Sequence, residues 1–240
     1  MKYDFTHFTD ELSKIKCTLN NSQLEQFELY YDMLIEKNKV MNLTAITDFD
    51  EVIEKHFLDS LFLCHTLDLN AEKNIIDVGT GAGFPGVPLA ILSPQKTFVL
   101  MDSLKKRLNV IDTLTSSIGI SNVVTVHARA EELARNKSHR QQYDLCISRA
   151  VANLATLAEY CLPFIRLGGY LLAYKGPDAD DEIASARKAV FLLGGELERV
   201  EFTRMQEYGL DHRILFIKKI RNTPEKYPRK AGIPSKNPLI

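Results

Sequence analysis

Ile75-Ile76-Asp77-Val78-Gly79-Thr80-Gly81-Ala82-Gly83-Phe84-Pro85-Gly86 reads as a short apolar strand that breaks into a glycine-rich turn and enters a helix. Glycines at 79, 81 and 83 let the backbone take positive φ and let a ligand approach the main chain closely. Pro85 suits the first turn of a helix, where the N–H it lacks would have no partner. Such a turn sets backbone N–H groups and a helix N-terminus beside a nucleotide-like ligand. A second apolar strand, Thr97-Phe98-Val99-Leu100-Met101-Asp102, ends in an acid about 20 residues further on, the usual place for a ribose-binding carboxylate.

Two frames fit this loop. Gly81-Ala82-Gly83-Phe84-Pro85-Gly86 matches G-x-G-x-x-G, which points to a dinucleotide and an NAD-dependent oxidoreductase. Such an enzyme would usually carry an acid–base residue such as a Tyr-x-x-x-Lys pair, and the chain has no such pair. The other frame is Asp77-x-Gly79-x-Gly81-x-Gly83 followed by Asp102. It resembles the S-adenosylmethionine (SAM) loop of Rossmann-like methyltransferases, where the first acid lies near the methionine end and the second holds the ribose hydroxyls. A carboxylate can accept from two vicinal hydroxyls. An acid at Asp77 also suits a ligand with an ammonium and a sulfonium better than one with phosphates.

The 240 residues are 45% hydrophobic and 25% charged, ordinary for a globular protein. No apolar run approaches the ~18 residues that span a membrane, and the N-terminus lacks a signal-peptide apolar region. Cys17, Cys64, Cys146 and Cys161 are widely spaced in apolar surroundings. They read as buried thiols of a reducing cytoplasm, with no metal site. The net charge of −1 is unevenly spread: Lys218 to Lys236 holds seven basic residues against Glu225 alone. That tail is either a solvated face or an arm that touches phosphates.

Residues 1–70 read as a helical extension packed on the catalytic domain. Leu24, Phe27, Tyr31, Leu34 and Ile35 follow helical spacing, and Asn42 to Thr47 breaks it as a loop. Thr47 or Asp48 could cap the next helix. Residues 71–240 alternate strand and helix. Strands are expected near 74–79, 97–102, 122–127, 143–148, 169–175, 196–203 and 212–218. Helices are expected near 85–93, 104–118, 151–164 and 179–193. The first five strands read as βα units of a mostly parallel sheet with helices on both faces. Tyr208-Gly209 suggests a hairpin between the last two. Ligands bind beyond the carboxyl ends of such strands. That places Asp77 to Gly83, Asp102, Ala128 to Glu131, Ser148 to Ala150 and Tyr174 to Gly176 around one site.

Several motifs together carry a closer likeness. They are Asn42-Leu43-Thr44, His56-x-x-Asp59-Ser60, the loop from Asp77 to Gly86, Arg129-Ala130-Glu131, Ser148-Arg149-Ala150 and Tyr227-Pro228-Arg229-Lys230-x-Gly232. From about residue 20 to the end the chain resembles the RsmG, or glucose-inhibited division protein B, family. That resemblance implies a cytoplasmic bacterial enzyme that methylates N7 of one guanosine in 16S ribosomal RNA of the small subunit. It implies a seven-stranded sheet with a reversed last strand. It puts Asp77, Gly79, Gly81, Gly83, Phe84, Asp102, Ala130, Glu131 and Arg149 at SAM, with Arg149 also near the target base. Lys175, Lys226, Arg229, Lys230 and Lys236 are the candidate contacts to rRNA phosphates. Nothing suggests an obligate oligomer, so a monomer is expected.

Guanine N7 carries an in-plane lone pair and no proton, so it needs no general base. The chain accordingly lacks an Asn/Asp-Pro-Pro-Tyr motif and a Pro-Cys nucleophile pair. Arg149 is expected to position the base, because a cation would not stabilise a guanine that becomes positive. His56 and Asp59, one helical turn apart, read as a polar pair that docks the N-terminal helices on the sheet. A rival to catalysis is an RNA-binding ribosome assembly factor with a vestigial SAM pocket.

Overall fold

The computed structural model describes residues 1–65, 74–149, 152–177, 179–205 and 210–239. Four helical segments open the chain: α1 (Thr6–Lys14), α2 (Asn21–Met41), α3 (Phe49–Val52) and α4 (Asp59–Leu61), with a π-helical segment, Ile53–Leu58, between the last two. Asn20 starts α2 with a capping box: its side chain accepts from Gln23 N while the Gln23 side chain accepts from Asn20 N. Asn42, in the left-handed conformation, stops it. Asp48 caps α3 by accepting from Glu51 N, one of the two caps expected there.

Strand and helix then alternate: β1 (Asn74–Val78), α5 (Gly86–Leu92), β2 (Thr97–Asp102), α6 (Lys105–Ser117), β3 (Val123–His127), α7 (Ala130–Leu133), β4 (Tyr143–Arg149), α8 (Leu154–Cys161), β5 (Ile165–Lys175) and α9 (Asp180–Leu192). The chain closes with β6 (Gly195–Met205), β7 (Leu210–Lys219) and a short α10 (Ile233–Lys236). The strand order is β3-β2-β1-β4-β5-β7-β6. β1 to β5 pair in parallel, and β7 runs antiparallel to both β5 and β6. The expected hairpin at Tyr208-Gly209 lies outside the described residues.

The two faces of the sheet bury different residues, as strand alternation requires. Ile75, Ile147, Leu172 and Phe216 share one apolar cluster with Phe8, Phe27, Tyr30 and Phe57 of the N-terminal segments. Ile76, Cys146, Leu171 and Ile217 face the other way, onto α8 and α9. Polar ties hold α2 in place: Gln23 Nε2 donates to Ile91 O (2.9 Å) and Gln26 Nε2 to Ile118 O (3.0 Å).

The glycine loop departs from its sequence reading at one point. Pro85 lies just before α5, not in its first turn, and the first-turn proline is Pro88. Gly86 starts the helix because nothing larger fits. A Cβ there would lie 2.3 Å from Leu100 Cδ2 and 2.7 Å from Asp77 Oδ2. Gly86→Ala should therefore lower stability by ~1–3 kcal/mol, the usual cost of overpacking. A urea midpoint equal to that of the parent protein would contradict this packing.

Candidate active site

The carboxyl ends of β1, β2 and β4 open onto a cavity of ≈ 460 Å³. Its floor is the loop Gly79 to Ala82, with Gly79 at φ 75° and Gly81 at φ 62°. A Cβ on Gly81 would meet nothing closer than 4.0 Å, so the main chain there is open to a ligand. Asp102 ties the loop down. Its Oδ2 accepts from Gly81 N (3.1 Å) and its Oδ1 from Leu104 N (2.8 Å). The Arg107 guanidinium lies 3.4 Å from Oδ2. An ionised carboxylate offers about four acceptor sites. Asp102 therefore keeps acceptor capacity toward the cavity it lines.

At the far end, Ala130 and Glu131 begin α7, so their N–H groups belong to a first turn without intrahelical partners. Glu131 lines the cavity, and its Oε1 accepts from Gly232 N in the C-terminal segment (2.9 Å).

The near end is built by the N-terminal segments. Tyr30 Oη donates to Ala82 O (2.9 Å) and its ring stacks on Phe84 at 5.2 Å. The His56 ring stacks on Phe84 at 4.5 Å, and its Nε2 lies 2.8 Å from Thr44 Oγ1. Arg149 leaves β4 beside them. Its Nη1 donates to Asp59 Oδ2 (2.7 Å) and to Lys55 O (3.3 Å). The other Asp59 oxygen pairs with His212 Nδ1 at 2.7 Å. Asp59 is only 1% exposed. Burial pushes its carboxyl up, but His212 and Arg149 outweigh that and hold it below the usual range. The hydrogen bond to Asp59 raises His212 in turn. Burial and the charge of Arg149 push His56 down to about 4, so it is neutral near pH 7.

Comparison with known proteins decides what this cavity belongs to. Residues 23–210 match the family model described as GidB, rRNA small subunit methyltransferase G. The chain is 46% identical over 238 residues to ribosomal RNA small subunit methyltransferase G of Clostridium novyi, covering 99% of this chain and 97% of that protein. It is 47% identical over 234 residues to the protein of the same name from Lactobacillus johnsonii, covering 97% and 98%. The chain belongs to the rRNA small subunit methyltransferase G family. Solved structures share the fold at low identity. A mutant 16S rRNA (adenine(1408)-N(1))-methyltransferase from Catenulisporales acidiphilia superposes with a TM-score of 0.53 at 15% identity, covering 64% of this chain and 88% of that one. A SAM-dependent O-methyltransferase from Thermotoga maritima gives 0.53 at 16%, covering 80% and 73%.

In this methyltransferase the cavity gathers Gly79, Gly81, Phe84, Asp102, Ala130, Glu131 and Arg149, all expected from the sequence. Gly83 and Asp77 stand behind it. A Cβ on Gly83 would lie 2.8 Å from both Tyr30 Oη and Val87 Cγ2, so this glycine serves packing. Asp77 is fully buried beneath the loop, where its Oδ2 accepts from Gly86 N (3.0 Å). It supports the turn and does not line the cavity. Its Oδ1 and the hydroxyl of Thr80 are buried with no other group to pair with, and the Thr80 hydroxyl acts on the carboxyl.

Burial raises the Asp77 pKa to about 7, against the smaller lowering by Thr80, Gly86 N–H and Arg149. The unfolded chain ionises near 4, so folding is penalised progressively as pH rises from about 4 to about 7. Asp77→Asn keeps an acceptor for Gly86 N and carries no charge. It should stabilise the fold on the order of 2 kcal/mol at pH 8, with the gain vanishing near pH 4. Equal gains at both pH values would refute the buried-acid account.

Two of the expected RNA contacts are corrected. Lys175 Nζ donates to Glu182 Oε1 (2.6 Å) and Ala152 O (2.5 Å), and its side chain is 9% exposed. Arg229 is locked to Glu159: its backbone N (2.7 Å), Nε (2.9 Å) and Nη2 (2.7 Å) all donate to a carboxylate that is 0% exposed. Both cations are spent on structure. Lys226, Lys230 and Lys236 are solvent-exposed. His56 and Asp59 do not bond each other; each docks separately, on Thr44 and on the pair Arg149 and His212. Sequence reading missed His212, Tyr30 and the rim arginine Arg107, whereas Arg129, also at the rim, falls in the stretch Ala128 to Glu131 expected there.

Proposed function

We propose that the protein transfers the methyl group of SAM to N7 of a single guanosine in the 16S rRNA of the small subunit, acting as a monomer in the cytoplasm. When bound, SAM supplies an electrophilic methyl on a sulfonium. The residues present suit it. Gly81 leaves its backbone open, Asp102 retains acceptor sites for ribose hydroxyls, and the first-turn N–H groups of Ala130 and Glu131 suit the acceptor nitrogens of adenine.

One observation carries the choice of nucleophile. Of the near-end groups that line the cofactor cavity itself, Arg149 is a cation and His56 is held down to about 4, while the pair Asp59 and His212, which bond each other, stands outside that lining. Neither lining group is a good proton acceptor near pH 7. A hydroxyl or an exocyclic amine must shed a proton, whereas guanine N7 attacks with a free lone pair. The site therefore works by alignment, and orientation alone can supply ~7–11 kcal/mol in favourable cases. Arg149 orients the base through its guanidinium. Exposed Lys226, Lys230, Lys236 and Arg129, with half-buried Arg107, meet RNA phosphates, which makes binding fall with salt.

The test is incubation with labelled SAM and small subunits from cells lacking the enzyme, followed by mapping of the methylated nucleoside. A single 7-methylguanosine in 16S RNA is expected. SAM binding with no transfer would instead support an assembly factor.

A further inference from the structure

The four cysteines lie in two hydrogen-bonded pairs. Cys146 on β4 and Cys161 at the end of α8 are both 0% exposed, sealed between the sheet and α8. The other pair reaches the surface: Cys17 is 5% exposed and Cys64 is half-buried. We propose that Cys17 and Cys64 are a redox modification site, forming a reversible disulfide that closes the near wall of the cofactor cavity into one covalent loop.

Backbone geometry fixes the first partner. Lys16 takes φ 57° at the end of α1, and its N–H donates to Ser13 O (3.0 Å). Cys17 N–H then donates to Leu12 O (2.9 Å). This pair of bonds is a common helix ending, usually sealed by an apolar contact. Cys17 accordingly joins Phe8, Leu12 and Phe27 in one buried cluster. Cys64 lies in the short 3₁₀ segment Phe62–His65 and packs on the same cluster. The two thiols thus meet from positions roughly 50 residues apart, a long loop for a cross-link to close.

The pair is also chemically unequal. Cys64 donates its thiol hydrogen to Cys17, which pulls Cys17 below the usual thiol range against its burial. The same bond, together with burial, raises Cys64. The thiolate is the reactive form, so Cys17 is the attacking sulfur. With hydrogen peroxide as oxidant, Cys17 sulfur bonds to one peroxide oxygen and the O–O bond breaks. The departing hydroxide takes the proton that Cys17 gave up and leaves as water. Cys64 sulfur then displaces hydroxide from the Cys17 sulfenic acid, its own proton completing a second water. Two thiols are oxidised and one peroxide is reduced. The sulfurs close from hydrogen-bonding distance to about 2 Å.

Between the two cysteines run Tyr30, Thr44, His56 and Asp59, which build the near end of the cavity. Neither sulfur lines the cavity, so the bond constrains the wall without entering the site. In a reducing compartment such bonds are usually transient and redox-sensing. The half-buried Cys64 leaves this one open to reduction.

The full-length protein, treated with equimolar hydrogen peroxide and digested without reduction, tests this. A peptide joining Cys17 to Cys64 is expected, with Cys146 and Cys161 free. The thermal midpoint should rise by about 5–10 °C, the scale for a loop and chain of this length, and dithiothreitol should reverse the rise. Cys17→Ser and Cys64→Ser should each show no rise after peroxide. Should either variant fail to fold, the peptide map and the reversal in the unaltered protein decide. Oxidation of Cys17 or Cys64 to sulfinic acid without a cross-link, a link between other cysteines in its place, or an unmoved midpoint overturns the assignment. None of these readouts uses methyl transfer, so the proposed reaction stands or falls separately.

Discussion

Arg149→Ala is expected to lower methyl transfer to the small subunit by about 100-fold or more while the SAM dissociation constant changes far less. A strong arginine contact to guanine contributes ~1–3 kcal/mol, and loss of alignment adds to it. The same change strips one oxygen of a buried carboxylate. Asp59 would keep His212 and lose its ion pair, and breaking a buried pair from one side typically costs ~3–5 kcal/mol. Two effects are therefore superimposed, and a double variant separates them. Arg149→Met with Asp59→Leu removes both charges together and should recover much of the stability. It should not recover transfer. Recovery of both would mean that Arg149 serves only to neutralise Asp59.

Glu159→Ala is the second large effect. The carboxylate takes three donors from Arg229 in the absence of solvent, so its removal should cost ~3–5 kcal/mol of stability. The consequence travels beyond the fold. Gly232, three residues after Arg229, holds Glu131 at the wall of the SAM cavity, and Thr156 Oγ1 on α8 holds Pro234 O (3.0 Å). Loosening this segment should weaken SAM binding about 10-fold, roughly 1.4 kcal/mol. Calorimetric titration at a temperature where the variant is still folded measures it. Unchanged SAM affinity in a destabilised variant would show that the segment does not support the cavity. Arg229→Lys should not substitute, because an ammonium cannot reproduce the forked pairing.

Much of this architecture is legible along the chain. Each of the first five strands is an apolar run, and the buried alternation of Ile75 and Ile76 fits a sheet covered on both faces. Asp102 announces itself as an acid closing a strand, and Arg149 as a charge following Leu145-Cys146-Ile147. The reversed β7 came from family likeness, since periodicity does not report strand direction. What stayed hidden depends on partners far apart in sequence. Glu159 stands 70 residues from Arg229, and His212 stands 153 from Asp59. A run of basic residues looks the same whether its members face water or a buried acid. Tyr30 carries no mark, in its own helical spacing, of the carbonyl of Ala82 that it holds. Asp77 misled for a related reason: the same motif position supports a loop from below or meets a ligand from above, and only burial tells them apart.

The anchoring of the C-terminal segment has a bearing on when this enzyme becomes competent during its own synthesis. Chains emerge from the ribosome in order, and structure forms from the N-terminal side as they do. All seven strands and the glycine loop precede residue 220, yet Arg229, Gly232 and Pro234 pin α8 and steady Glu131. A nascent chain that already possesses its sheet therefore still lacks the finished wall of its cofactor cavity. Methyl donor would be held firmly only after these late residues have left the translating ribosome.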